Sequence, residues 1–168
     1  MNTSIGLRKK LLGRAVATAA CLLVVSGCSK ENPTQPVSEY QSMEAKVLSL
    51  VNQDRISAGL PTLVSNDVIA TEARMHSEHM AAGIVPFSHD GFSSRVDAIR
   101  KTMSLSNAGE NVAFNSGFSD PAQQAVTQWL NSPGHKSNIE GNYNLTGIGI
   151  AKNASGAYFF TQIFAKSP

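Results

Sequence analysis

The stretch Trp129-Leu-Asn-Ser-Pro-Gly-His-Lys-Ser-Asn-Ile139 divides the chain into two kinds of sequence. Before it, apolar residues recur at helical spacing; after it, the period shortens from 3.6 to 2. Leu145 to Ile150 and Tyr158 to Phe164 alternate as strands, with a turn at Asn153 to Gly156 between them. Such a hairpin cannot bury both of its faces alone, so helices must cover it. Layers of helix, sheet and helix are the simplest solution. Within the stretch, Pro133-Gly134 cannot extend the helix that carries Trp129, which is expected to run out at Asn131. His135 is then expected on a tight turn just past the helix end.

Reading back from Trp129, Asp120 is a cap followed by Pro121 at the first helical position. Ala122, Ala125, Val126, Trp129 and Leu130 fall on one face of that helix, which makes Trp129 a core residue. Further upstream, Ser38 and Gln41 have the spacing of a capping box. Met43, Val47, Leu50 and Val51 follow as one apolar stripe, and Gly59-Leu60-Pro61 ends the helix. Asn66 or Asp67 opens a second helix with the stripe Ile69, Ala73, His76, Met80, stopped at Gly83. His76 is thereby placed on the core-facing side and His79 on the flank. A shorter helix carries Phe92, Val96, Ile99 and Met103, and Val112-Ala113-Phe114 reads as a short strand.

The beginning of the chain has a different character. Arg8, Lys9, Lys10 and Arg14 precede an apolar run from Ala15 to Val25, too short to span a bilayer as a mature helix. Val25-Ser26-Gly27-Cys28 resembles a bacterial lipobox, in which small residues precede a cysteine that becomes lipidated. The expectation is a signal peptide over 1–27, a lipidated Cys28, a flexible tether over 28–39 and one domain over 40–168. The plainer alternative is an ordinary signal peptide with an incidental cysteine. Ten extended tether residues would reach roughly 35 Å. Cys21 and Cys28 are the chain's 2 cysteines, so the mature domain has no disulfide. Cleavage removes four of the 14 basic residues and none of the 12 acidic ones, so the net charge moves from +2 to −2. No basic stripe survives, which argues against nucleic acid as a partner.

Several short motifs then fall in a telling order: His89, Gly109-Glu110-Asn111, Trp129 with Ser132-Pro-Gly-His135, Asn138-Ile139, Gly147-Ile-Gly149 and Thr161-Gln162-Ile163-Phe164. With Asn52-Gln-Asp-Arg55, Gly59-Leu60 and the helix bearing His76, they resemble the CAP (SCP/PR-1-like) superfamily in its small bacterial form. The resemblance covers about Tyr40 to Ala165. It implies an α+β fold, a three-layer α-β-α sandwich with a mainly antiparallel central sheet and a cleft above it. Eukaryotic members place two histidines and two glutamates in that cleft, sometimes with a divalent metal. His89 matches the first histidine and Glu110 the glutamate of Gly-Glu-Asn. The second glutamate position is Ser132 here and the second histidine position is Phe159. His135, in a motif that bacterial members share, is a candidate to supply the missing imidazole from a different backbone position.

Two readings of these residues follow. His89, Glu110 and His135 would make a two-histidine, one-carboxylate set, enough for a catalytic-type Zn²⁺ with one open position. Alternatively, Glu110 bonds loop amides while the histidines bond each other or the backbone. Asn111 is expected to tie the turn and His76 to be a satisfied core histidine, though both are candidates for the cleft. Ser88 and Ser132 lie beside histidines, but no nucleophile-elbow glycines surround them. The function expected is an exported, lipid-anchored module facing the extracytoplasmic side. It would use the cleft to bind a small ligand, a lipid or a protein. The alternative is a metal-assisted hydrolase of peptides or cell-envelope material. Allocating three ligands leaves no base, and allocating Glu110 as base leaves too few ligands.

Overall fold

The computed structural model describes residues 38–168. The expected signal peptide, Cys28 and the tether as far as residue 37 lie outside the described residues. The order is α1 (Glu39–Ser57), β1 (Val64–Ser65), α2 (Asp67–Ala81), α3 (Phe92–Arg100), β2 (Asn107–Asn115), α4 (Pro121–Leu130), α5 (Pro133–Ile139), β3 (Leu145–Lys152) and β4 (Tyr158–Lys166). The four strands form one sheet in the order β1-β3-β4-β2. β4 pairs antiparallel with both β2 and β3, while the two-residue β1 pairs parallel with β3. The sheet is therefore mixed, with its long ladders antiparallel.

Local chemistry sets the helix ends. Ser38 and Gln41 form the capping box reciprocally, at 3.1 and 3.0 Å. Asn66 accepts from the amides of Val68 and Ile69, and Asp120 from that of Gln123. One expectation fails. Pro133 does not merely end α4: it sits at the start of a second helix, α5, so His135 lies in a helical turn and not in an open one. Proline has no amide to lose at a first helical turn, where the amides have no partner within the helix in any case.

Alternation along the strands assigns the layers. Phe160 and Phe164 of β4 and Ile148 and Ile150 of β3 pack with Val47 and Val51 of α1, Trp129 of α4 and Ile139 of α5. On the other face, Ile163 packs with Ile69 and Ala73 of α2 and Ile99 of α3. The result is α1, α4 and α5 on one side and α2 and α3 on the other. At Gly147 and Gly149 of β3 no side chain separates the strand from the α2 backbone. A Cβ on Gly147 would lie 2.1 Å from the amide nitrogen of Ala70, and one on Gly149 would lie 2.1 Å from that of Arg74. The helix backbone therefore rests directly on the strand. Ser77 crosses the same junction, donating to the Gly149 carbonyl at 2.8 Å and meeting the Thr161 hydroxyl at 2.8 Å.

Arg55 locks the opposite layer. Its side chain is buried, and its guanidinium donates to the carbonyls of Pro61, Ile139, Gly141 and Tyr143 at 2.6 to 3.3 Å. Ile139 is the last residue of α5, so the cation meets the partially negative end of that helix. Asn52, one turn earlier, clamps Leu63 through both its amide and its carbonyl. The Asn52-Gln-Asp-Arg55 motif thus holds the end of the helix that carries His135.

Candidate functional site

β2 is the edge strand next to β4, and successive residues on it serve opposite faces. Gly109-Glu110-Asn111 lies within it, which extends the strand well upstream of the expected Val112 start. Each of the three residues has a separate task. A Cβ on Gly109 would fall 2.7 Å from the Tyr143 hydroxyl and 3.1 Å from Asn138 Oδ1, so glycine leaves room for both. Asn111, fully buried, donates from Nδ2 to the His135 carbonyl at 3.0 Å. Asn138 of α5 in turn donates to Asn111 Oδ1 at 2.9 Å and to the Glu110 carbonyl at 3.1 Å. Asn111 therefore ties the strand to α5.

Glu110 points to the other face, and its side chain is only 1% exposed. A buried carboxylate requires a charged partner. Arg95 of α3 provides it: Nε donates to Oε2 at 2.9 Å, and the terminal nitrogen reaches Oε1 at 2.8 Å and Oε2 at 2.7 Å. His89 adds a contact from Nδ1 to Oε1 at 3.0 Å. An ionised carboxylate only accepts, so His89 donates from Nδ1, which leaves Nε2 on the side of the ring away from Glu110. Half of the His89 side chain is exposed.

His135 approaches from α5 around the strand edge, its ring centroid 6.3 Å from that of His89. Burial, followed by the neighbouring His89, lowers its pKa. His76 stands behind the site. Its Nε2 lies 2.9 Å from the Ser88 carbonyl, so it donates there and holds the loop bearing His89. Burial lowers the His76 pKa as well. Ser88 accepts from the Asp90 amide at 3.1 Å, a local turn contact.

The structure therefore brings His89, Glu110 and His135 together, with Asn111 and His76 directly behind them. It does so at the edge strand of the sheet, with Glu110 and Asn111 buried and the His89 side chain half exposed. A cleft of about 720 Å³ bounded by Glu39, Lys46, Phe118, Asp120 and Tyr158 lies elsewhere. So does one of about 500 Å³ bounded by Tyr40, Arg74 and Glu78. Neither contains the three residues. Sequence reading missed Arg95. It sits off the Phe92, Val96, Ile99 stripe and reads there as an ordinary surface charge, with no local signal that links it to Glu110.

Arg95 also decides the metal question at Glu110. Both carboxylate oxygens are taken by the guanidinium, and a dication beside it would face a like charge. Among the described residues, no group of three or more His, Cys, Asp or Glu is arranged to hold a metal ion. The expected ligand set does not fit a metal as it stands. Glu110 orients His89 and neutralises Arg95.

Fold and site together define a small sandwich domain with a histidine-carboxylate surface at the edge of its sheet. The sequence profile of the cysteine-rich secretory protein family, CAP, matches residues 48–164, and the chain belongs to this family. It is 32% identical over 136 residues to the uncharacterized protein YkwD of Bacillus subtilis (strain 168), covering 79% of this chain and 51% of that protein. Among solved structures it resembles an extracellular protein containing a SCP domain from Bacillus anthracis str. Ames, with 29% identity and a TM-score of 0.64. That match covers 76% of this chain and 41% of the other. An outer surface protein from Borrelia burgdorferi shares the fold, at 19% identity and a TM-score of 0.65, over 76% of this chain and 95% of that one. The chain spans about half the length of the Bacillus subtilis relative.

Proposed function

We propose that this chain is an exported, lipid-anchored bacterial protein. Its CAP domain is a binding module, presenting His89 and His135 at the sheet edge to a small ligand, a lipid or a protein. Export is supported by the basic and apolar N-terminal run and by the Bacillus anthracis relative described as an extracellular protein. No helix among the described residues is long and apolar enough to cross a membrane; the anchoring reading is supported by Cys28 directly after Ser26-Gly27.

The observation that carries binding over cutting is the engagement of both Glu110 oxygens by Arg95. A hydrolase of the metal-assisted kind needs a metal with an open position and a carboxylate free to act as base. Here the one carboxylate of the site is spent. The hydrolase alternative retains one supporting contact, the Glu110-oriented imidazole of His89, which has the geometry of a histidine base. The test is hydrolysis of mixed peptide and cell-envelope substrates by the purified domain, with and without Zn²⁺, beside His89→Ala. No turnover in either condition is expected. Turnover in the wild type that His89→Ala abolishes would overturn the binding reading.

A further inference from the structure

The guanidinium of Arg95 fills a space between two oxygen donors of the kind a metal ion would use, the Glu110 carboxylate and the Asp90 carbonyl. The Glu110 carboxylate binds it through three contacts of 2.7 to 2.9 Å. On its far side, the Asp90 carbonyl accepts from the other terminal nitrogen at 2.9 Å. His89 Nδ1 lies 3.0 Å from the carboxylate oxygen that Arg95 also contacts. Carboxylate, carbonyl and imidazole are the ligand types of Zn²⁺ and Mn²⁺ sites. The pair is enclosed, with side-chain exposures of 10% for Arg95 and 1% for Glu110.

We propose that Arg95 is a built-in cation at this site: its guanidinium occupies the position of a divalent ion between the Glu110 carboxylate and the Asp90 carbonyl, beside the carboxylate oxygen that His89 also contacts, and removing it opens a metal site. This rests on the same site as the binding-module reading and deepens it, since it says why His89 is oriented without a metal. A planar fork suits the two carboxylate oxygens, and one positive charge balances one negative charge in a dry setting. A dication could enter only by displacing that charge. His89 then stays hydrogen-bonded through Nδ1, with Nε2 turned to the ligand side.

The experiment compares the wild-type domain, Arg95→Ala, Arg95→Lys and Arg95→Ala/Glu110→Gln by calorimetric titration with Zn²⁺ and Mn²⁺ and by melting with and without the metals. The wild type should show no metal-dependent melting shift. Arg95→Ala should melt lower and recover part of the loss with metal. It should bind Zn²⁺ at least about tenfold tighter than the wild type, because a like charge has been removed. Arg95→Lys keeps the charge and should remain indifferent to metal, a result that a purely structural role for Arg95 does not require. The double variant should lose the gain. If Arg95→Ala folds only with metal present, refolding in Zn²⁺ against refolding in chelator reads the same effect. A wild-type melting rise with Zn²⁺ that depends on His89, or a folded Arg95→Ala that ignores both metals, overturns the proposal. So does a Zn²⁺ response in Arg95→Lys equal to that of Arg95→Ala. Metal binding by the wild type without hydrolysis would sink this proposal alone, whereas hydrolysis is what sinks the binding-module reading.

Discussion

The indole nitrogen of Trp129 donates to the backbone carbonyl of Val112 at 2.9 Å. Val112 belongs to the edge strand, whose outer carbonyls have no neighbouring strand to receive them. Trp129 and, at Glu110, Asn138 close this edge with side chains from the helical layer. Trp129 is therefore both a core residue, 0% exposed, and an edge cap.

Trp129→Ala should cost about 3–5 kcal/mol by leaving a cavity. Trp129→Phe keeps most of the ring but orphans the Val112 carbonyl, and should cost about 1–3 kcal/mol. Chemical denaturation separates the two. Equal stability of Trp129→Phe and the wild type would show that water satisfies the carbonyl.

Gly149→Ala should be more damaging than a typical single-methyl addition. The new Cβ would meet backbone atoms of Ala73 and Arg74 at 2.1 to 2.3 Å, and backbone cannot rotate away as a side chain can. Overpacking of this kind costs about 1–3 kcal/mol or more. A thermal melt within a degree or two of the wild type (a shift smaller than ~1 kcal/mol would give) would mean that α2 can lift from the sheet.

Stability should decline in mild acid. Burial is the main reason that the His76 pKa is lowered, and Arg95 and His89 act in the same direction, opposed by the Ser88 carbonyl and Glu110. The unfolded chain protonates this histidine near pH 6.5, the folded chain only at lower pH. Between those points the unfolded state binds more protons, so the contribution is complete above about pH 6.5 and shrinks as the pH falls. His76→Gln should flatten the stability profile between about pH 7 and 5, leaving the smaller share of His135, whose pKa is also lowered. An unchanged profile would place the acid sensitivity elsewhere.

Cys28→Ala should yield an unprocessed precursor or a soluble protein. Stable anchoring needs more than one acyl chain, which a lipidated N-terminal cysteine would supply. Membrane fractionation and the apparent size decide it: a variant still membrane-bound at the processed wild-type size removes the lipid anchor from the reading.

Much of this architecture could be read from local signals because those signals coincide with its physical boundaries. Ser38 with Gln41, Asn66 and Asp120-Pro121 all cap the helices they were expected to cap. The period of 2 after residue 144 matches β3 and β4, whose faces are both covered. The misses have equally concrete causes. β1 is two residues long and exists only through pairing with Leu145 and Thr146, so it carries no pattern of its own. β2 begins among Asn107, Gly109 and Asn111, residues that look like loop and are strand because they pair with Lys166 to Gln162 of β4, while α5 satisfies the Asn111 side chain. α5 was hidden by Pro133-Gly134, which ends one helix and begins another with the same two residues. At the site, the identities of His89, Glu110 and His135 were visible, but the ion pair was not. Arg95 and Glu110 lie 15 residues apart, and nothing local links a helix-surface arginine to a strand glutamate.

The bare contact of α2 with Gly147 and Gly149 has a consequence for which parts of the domain can move. Interdigitated side chains permit small sliding steps, because one rotamer can replace another as helices shift. Two backbones in direct contact have no such intermediate positions. α2 is thus a fixed reference for the sheet, and so is the loop that His76 suspends from it. On the binding-module reading, accommodation of a ligand falls to the exposed His89 ring, because α5 is held both by the hydrogen bonds of Arg55, Asn111 and Asn138 and by Ile139 in the core. Of the two histidines, His135 is the one whose own backbone is tied, through its carbonyl, to the buried Asn111.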